Sequence, residues 1–230
     1  MRCSKCDADN RHTARFCDSC GASLPSVADG RFERIKRSPS TGERRHLTVL
    51  FCDLVDSTSI ATKLDPEEWR ELAAGYQRAS ASVVERFGGH VAKYLGDGVM
   101  AYFGWPQAHG DDPERAVHAG LAILEAISNL NEHLTNVKLS ARVGIDSGVV
   151  VVGTGGGDEF EVFGETPNIA ARVQAAAARD TVLITEATHK LVSGLFLVAE
   201  RGAYTLKGMS SRCISIRSCS PAECEGGSRR

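Results

Sequence analysis

Between His46 and Asp53 apolar and polar side chains alternate, with Leu47, Val49 and Phe51 on one side, which is the period of a half-buried strand ending at an aspartate. The period then lengthens. Asp65-Pro66-Glu67-Glu68 offers an N-cap, a first-turn proline and acids at the positive end of a helix, and Trp69, Leu72, Tyr76, Ala79, Val83 and Phe87 continue as one helical stripe up to Gly88-Gly89. His90 to Gly96 and Val99 to Phe103 predict two strands joined by a tight turn at Gly96-Asp97-Gly98. Asp112-Pro113 opens a second helix with a buried stripe of Ala116, Ala119, Ile123, Ile127, Leu130 and Leu134. Val143 to Val152 predicts another strand, Thr166-Pro167 starts a third long helix, and Val182 to Ile184 begins a closing series of short strands and helices. Strands and helices mixed without strict βαβ alternation predict an α+β domain, a mixed sheet covered by helices.

Two stretches lack such order. Residues 25–45 hold Pro, Ser, Gly and charges, with Arg31, Arg34, Lys36, Arg37, Arg44 and Arg45 against Glu33 and Glu43. They read as a basic, solvated linker, with contact to an acidic surface or to phosphates as the alternative. Residues 218–230 read as a disordered tail. The expected organisation is therefore a small module over 1–24, a linker over 25–45, a main domain over 46–217 and the tail. A length of 230 residues at 42% hydrophobic suffices for one well-buried domain plus that module.

Charge adds only exclusions. With 27 basic and 29 acidic residues the net charge is −2, so no global field draws the protein to nucleic acid or an anionic membrane. Neither a secretory signal nor an apolar run long enough to span a bilayer is present, so the expected location is the cytoplasm.

Cysteine changes the picture more. Of eight cysteines, four lie in Cys3-Ser-Lys-Cys6 and Cys17-Asp-Ser-Cys20, two CxxC pairs separated by ten residues, whereas Cys52, Cys213, Cys219 and Cys224 show no comparable spacing. Each half can form a tight turn presenting two thiolates, and four thiolates complete a tetrahedral zinc site. A segment this short has little core, so one structural Zn²⁺ would supply most of its folding energy, and a filled shell leaves no position for catalysis. The other readings are a ribbon that has lost its metal and a pair of redox CxxC motifs.

Asp53 at a strand end and Asp97 in a hairpin turn each have an ordinary reading, since Asp is common in both places. Together they could hold two Mg²⁺ (or Mn²⁺) ions, with waters and phosphates completing the shells.

Three segments around these acids resemble the catalytic domain of class III adenylyl and guanylyl cyclases: Leu47-Thr-Val-Leu-Phe-Cys-Asp-Leu-Val-Asp-Ser-Thr58, Lys93-Tyr-Leu-Gly-Asp-Gly-Val-Met-Ala-Tyr-Phe-Gly104 and Val162-Phe-Gly-Glu-Thr-Pro-Asn-Ile-Ala-Ala-Arg172. The resemblance covers about Arg45 to Arg217 and is narrower to a bacterial subgroup with an N-terminal zinc ribbon, where a large ATPase region often follows; none follows in these 230 residues. It implies a ferredoxin-like βαββαβ core. It also implies that Asp53, Asp97 and the Leu54 carbonyl bind metal, and that amides near Asp56, Ser57 and Thr58 face the terminal phosphates. Lys93 matches the base-selecting lysine that donates to adenine N1, where guanylyl cyclases have glutamate. The second selector is typically Asp in adenylyl cyclases, Cys in guanylyl cyclases and Thr in some bacterial forms. Here it is Glu161, which can accept from the adenine amino group, although its extra methylene shifts the carboxylate. Asn168 and Arg172, one helical turn apart, would orient the ribose and stabilise charge on the α-phosphate; Lys207 is a weaker candidate for the outer phosphates.

The implied activity is conversion of ATP to cyclic AMP and pyrophosphate. The family takes its metal acids from one chain and its selectors, Asn and Arg from the partner, so a homodimer with two shared sites is expected. Competing readings are a guanylyl or promiscuous cyclase and a silent cyclase-like regulatory or dimerisation module. The ribbon could recruit a protein partner; lacking a basic run or interleaved aromatics, it is a poor nucleic-acid binder.

Overall fold

A computed structural model describes residues 2–11, 16–22, 42–154, 160–199 and 212–217. The chain divides into two compact units, Met1–Thr41 and Gly42–Arg230. The predicted linker is outside the described residues up to position 41, and so are the tail and Lys207.

The larger unit is built from β1 (Glu43–Leu54), α1 (Ser57–Ala61), α2 (Pro66–Arg86), β2 (His90–Leu95), β3 (Gly98–Phe103), α3 (Asp112–Asn131), β4 (Ala141–Thr154), β5 (Phe160–Phe163), α4 (Thr166–Ala176), β6 (Thr181–Thr185), α5 (Glu186–Leu191), β7 (Leu197–Ala199) and β8 (Cys213–Arg217). The first four long strands lie in the order β2-β3-β1-β4, all antiparallel, as a ferredoxin-like βαββαβ core requires. The sheet then continues through β6, β8 and β7, and β6 runs parallel to β4, which makes it mixed. The α+β expectation holds.

Local signals act as read. At α2 the Asp65 side chain accepts from the Glu68 amide while the Glu68 side chain reaches back to the Asp65 amide, and Pro66 fits because its missing N–H would be unpaired there. Tyr76 and Val83 of the predicted stripe are buried, with Trp69, Leu72 and Phe87 packed at their edge. Together with α3, α2 covers one sheet face over Leu50, Cys52, Leu54, Val99, Val143 and Ile145. The opposite face, carrying Leu47, Val49, Tyr102, Val150 and Val152, receives Ala170 of α4.

Two boundaries differ from the reading. The strand predicted from His46 begins at Glu43, because Glu43, Arg44 and Arg45 pair with Val152, Val151 and Val150 of a β4 that is itself longer than expected. Their charge mimics a linker, yet Arg45 bonds Glu43 at 2.9 Å and the Pro106 carbonyl at 2.9 Å. The predicted α3 stripe ends early: the helix stops at Asn131, whose side chain bonds the Leu139 N–H and C=O, and Leu134 packs on the core from the loop beyond.

Candidate active site

Register brings Asp53 to one end of the sheet, opposite Arg142 at the start of β4. The β2–β3 turn folds over that end. Gly96 takes the left-handed φ of +63°, which favours a residue without Cβ, and Gln77 of α2 donates to the Gly96 carbonyl at 2.9 Å. Gly98 lies so close that a Cβ there would be 3.5 Å from Asp53 Oδ1.

The turn thereby places Asp97 against Asp53. Burial first, and the Asp97 charge second, push the Asp53 carboxyl from its ordinary 3.8 up to about 6, against the pull of Arg142. Asp97 Oδ2 is buried with no hydrogen-bond partner, and so is Nε of Arg142. Two crowded carboxylates, one with an orphaned buried oxygen, form a hard-oxygen donor set that a divalent cation would satisfy. Asp97 and Asp53 thus form a group that could bind Mg²⁺ or Mn²⁺, and the Leu54 carbonyl expected with them belongs to the β1 residue next to Asp53. Arg142 was not singled out in the sequence. An arginine interrupting an otherwise small and apolar run before Val143 was the available signal.

The Asp56-Ser57-Thr58 segment forms the start of the short helix α1, with Asp56 as its N-cap, left-handed at φ 56°. Amides of a first helical turn have no intrahelical partners, so those of Ser57 and Thr58 remain available. The Val55 amide is held by the Ser140 carbonyl at 2.8 Å, and the Asp56 carboxylate by the Arg179 guanidinium.

The remaining candidates lie elsewhere. Lys93 is exposed on β2, paired with Met100 of β3 and so two strands away from β1. Glu161 is exposed on β5, opposite Gly153. Asn168 and Arg172 are exposed on α4, while Ala170 and Val173 are buried, so the pair emerges from the side turned away from the sheet. Glycines let α4 approach β4: a Cβ on Gly148 would be 2.5 Å from Thr166 Oγ1, and one on Gly144 would be 2.1 Å from the Gln174 nitrogen. Gly148 pairs with Leu47, six residues along β1 from Asp53, so α4 begins about 20 Å from the carboxylate pair and runs back toward that end, where the Ala175 carbonyl accepts from Arg142 at 3.5 Å. One chain gathers the carboxylates and holds Lys93, Glu161, Asn168 and Arg172 on other elements.

In the smaller unit, the sulfurs of Cys3, Cys6, Cys17 and Cys20 lie within 4.8 Å of one another. Each CxxC closes as a tight turn: the Asp7 amide bonds the Cys3 carbonyl at 2.9 Å, and the Gly21 amide bonds the Cys17 carbonyl at 2.9 Å. Desolvation opposes ionisation of Cys17, but the amides of Ser19 and Cys20 and the Asn10 side chain bring its thiol down to about 6. Cys6 is pushed the other way, up to about 12, as its neighbouring thiols share their protons, so of this pair Cys17 is the thiol prepared to bind a metal cation as a thiolate.

No helix among the described residues is long and apolar enough to cross a membrane.

Comparison with known proteins agrees with this geometry. The model of the adenylate and guanylate cyclase catalytic domain matches residues 41–217. An uncharacterized protein of Rhizobium meliloti (strain 1021) is 34% identical over 173 residues, 74% of this chain and 17% of that protein, so the chain spans about a sixth of that relative. The adenylyl cyclase CyaB of P. aeruginosa superposes with a TM-score of 0.73 at 25% identity, covering 78% of this chain and 97% of that one. The guanylyl cyclase Cya2 does so with 0.72 at 28% identity, covering 76% and 92%. With the βαββαβ sheet and the carboxylate pair, these matches establish that the chain belongs to the class III adenylyl and guanylyl cyclase catalytic-domain family.

Proposed function

We propose that the chain is an adenylate cyclase, converting ATP to 3′,5′-cyclic AMP and pyrophosphate as a homodimer with two shared sites. The observation that carries this reading is the crowded Asp53–Asp97 pair with its orphaned Asp97 oxygen. Asp53, Asp97 and the Leu54 carbonyl hold two Mg²⁺ or Mn²⁺ ions, which when bound supply acidification of the ribose 3′-hydroxyl and charge neutralisation on the triphosphate. The chain's own groups do the rest. Amides of Ser57 and Thr58 receive the outer phosphates, and Lys207 is the further candidate for them. Asn168 fixes the ribose so that the 3′-oxygen lies in line with the α-phosphorus and the leaving pyrophosphate. Arg172 donates to the α-phosphate oxygens as charge grows on them, a contribution of several kcal/mol in order of magnitude.

Selection of adenine rests on Lys93, whose exposed ammonium donates to an unprotonated ring nitrogen, and on Glu161, which accepts from the amino group. Exposure of Asn168 and Arg172 on the side of α4 turned away from the sheet supports their serving a partner's site, so that each site is completed by a partner's Asn168 and Arg172. Exposed Val149, Val151 and Phe163 on one face of the β4–β5 arm give such a partner apolar surface. The four-cysteine unit holds one structural Zn²⁺, in keeping with its converging sulfurs, and offers exposed Phe16 to a protein partner.

Glu161 also favours a second reading, acceptance of GTP, because a longer carboxylate selects its partner less strictly than the aspartate it replaces. Product identification after incubating the purified protein with Mg²⁺ or Mn²⁺ and either nucleotide decides. Cyclic AMP from ATP at a rate well above cyclic GTP from GTP is expected; equal rates establish a promiscuous cyclase, and no product from either overturns the enzymatic reading.

A further inference from the structure

Arg179 follows α4 in the turn that leads into β6, and its guanidinium pairs with the carboxylate of Asp56, three residues beyond Asp53. Both side chains are exposed, 61% and 59%. The turn is fixed on the sheet end that carries the carboxylate pair: the Asp180 amide bonds the Ala141 carbonyl at 2.8 Å, and Asp180 Oδ1 accepts from the Ala141 amide at 3.1 Å. Beyond these contacts Arg142 pairs with Thr181 of β6 on one side and Asp53 of β1 on the other. Two arginines therefore reach one sheet end from adjacent strand starts. That end also has four acids, Asp53, Asp97, Asp56 and Asp180.

We infer that Arg179 is a further polyphosphate-binding residue, held by Asp56 until a triphosphate takes its place; this rests on the nucleotide-cyclase reading above. An ion pair between two exposed side chains contributes little, so Asp56 holds the guanidinium only loosely. Phosphate oxygens accept from the same planar fork in bidentate fashion and with more charge, so the exchange is downhill once a triphosphate lies beside α1. Asp56 then plays against binding: uncompensated, its charge repels the phosphates, and paired, it occupies the cation they need. A pair that merely pinned the turn would behave differently, because removing either partner would loosen the same loop.

Titration calorimetry of the full chain with inorganic tripolyphosphate and with ATP, each with Mg²⁺, separates these roles. Tripolyphosphate has no base, so its binding is independent of whether adenine or guanine is the substrate. Arg179→Ala should weaken both ligands about tenfold, as loss of a charge-assisted contact does. Asp56→Asn, which frees the guanidinium and removes a repelling charge, should tighten both about threefold. Circular dichroism and melting of each variant confirm that the fold is intact, and Arg179→Lys should recover part of the affinity through charge alone. Weakening by both Arg179→Ala and Asp56→Asn, or no change in either, overturns the inference while leaving the cyclase reading standing. A wild-type chain that binds neither ligand overturns both.

Discussion

Replacing Asp97 with asparagine keeps the shape of the β2–β3 turn and deletes one charge, which isolates the cost of holding two carboxylates together. Asp53 sits at about 6 in place of 3.8, a difference that amounts to about 3 kcal/mol if fully expressed. Burial is the larger cause, and solvent reaching the half-buried pair screens the remainder, so the share owed to the Asp97 charge is about 1 kcal/mol. Asp97→Asn should therefore raise the melting temperature of the cyclase unit by about 2–4 °C without added Mg²⁺ or Mn²⁺. The same variant should lose cyclase activity and the stabilisation that added divalent ions give the wild type. Its pH dependence follows from linkage. A carboxyl raised above its ordinary value binds its proton more tightly in the folded chain, so the stability it contributes is full below 3.8 and is lost as pH rises through about 6. Wild type should gain stability on acidification across that window, and Asp97→Asn should gain less. Calorimetric melts at pH 5 and pH 7.5 read both effects. An unchanged or lowered melting temperature for Asp97→Asn at pH 7.5, in protein without added divalent ions, refutes the crowded-carboxylate argument.

Asp97→Ala and Arg172→Ala chains should each be nearly inactive, but mixing them should restore roughly a quarter of wild-type turnover, since half of randomly paired dimers are mixed and each has one intact site of two. A mixture that stays inactive despite demonstrated heterodimers places both groups in one subunit's site. Cys17→Ser should abolish stoichiometric zinc, read by metal analysis, while circular dichroism shows the cyclase unit still folded; retained zinc contradicts the four-thiolate site. Gly144→Ala should cost about 3 kcal/mol and most activity, because the new methyl would stand 2.1 Å from the Gln174 nitrogen and push away the helix carrying Asn168 and Arg172. A wild-type melting curve for that variant would show that α4 packs less closely than described.

What was legible in the sequence had short-range causes. The α2 stripe and capping box, the Gly96-Asp97 turn and the start of α4 at Thr166-Pro167 are each written in a few adjacent residues, and the structure has them where they were expected. The strand membership of Glu43, Arg44 and Arg45 was hidden because it depends on pairing with Val150 to Val152, a hundred residues away. Arg142 was hidden for the same reason: a lone arginine becomes part of a site only when register sets it opposite Asp53. Among the site residues, Asp53 and Asp97 lie against each other on this chain. Lys93, Glu161, Asn168 and Arg172 were expected from a partner, and their positions on separate elements fit that expectation without testing it.

The exposure of Asn168 and Arg172 on the side of α4 turned away from the sheet has a consequence for output in a cell. Under the shared-site reading an isolated chain holds two halves of different sites and turns over nothing. At concentrations below the dimer dissociation constant, product formation then scales with the square of the amount of protein. Doubling expression would quadruple the signal, and halving it would cut the signal to about a quarter. Any domain that brought two chains together would act as a gain control without touching a catalytic side chain.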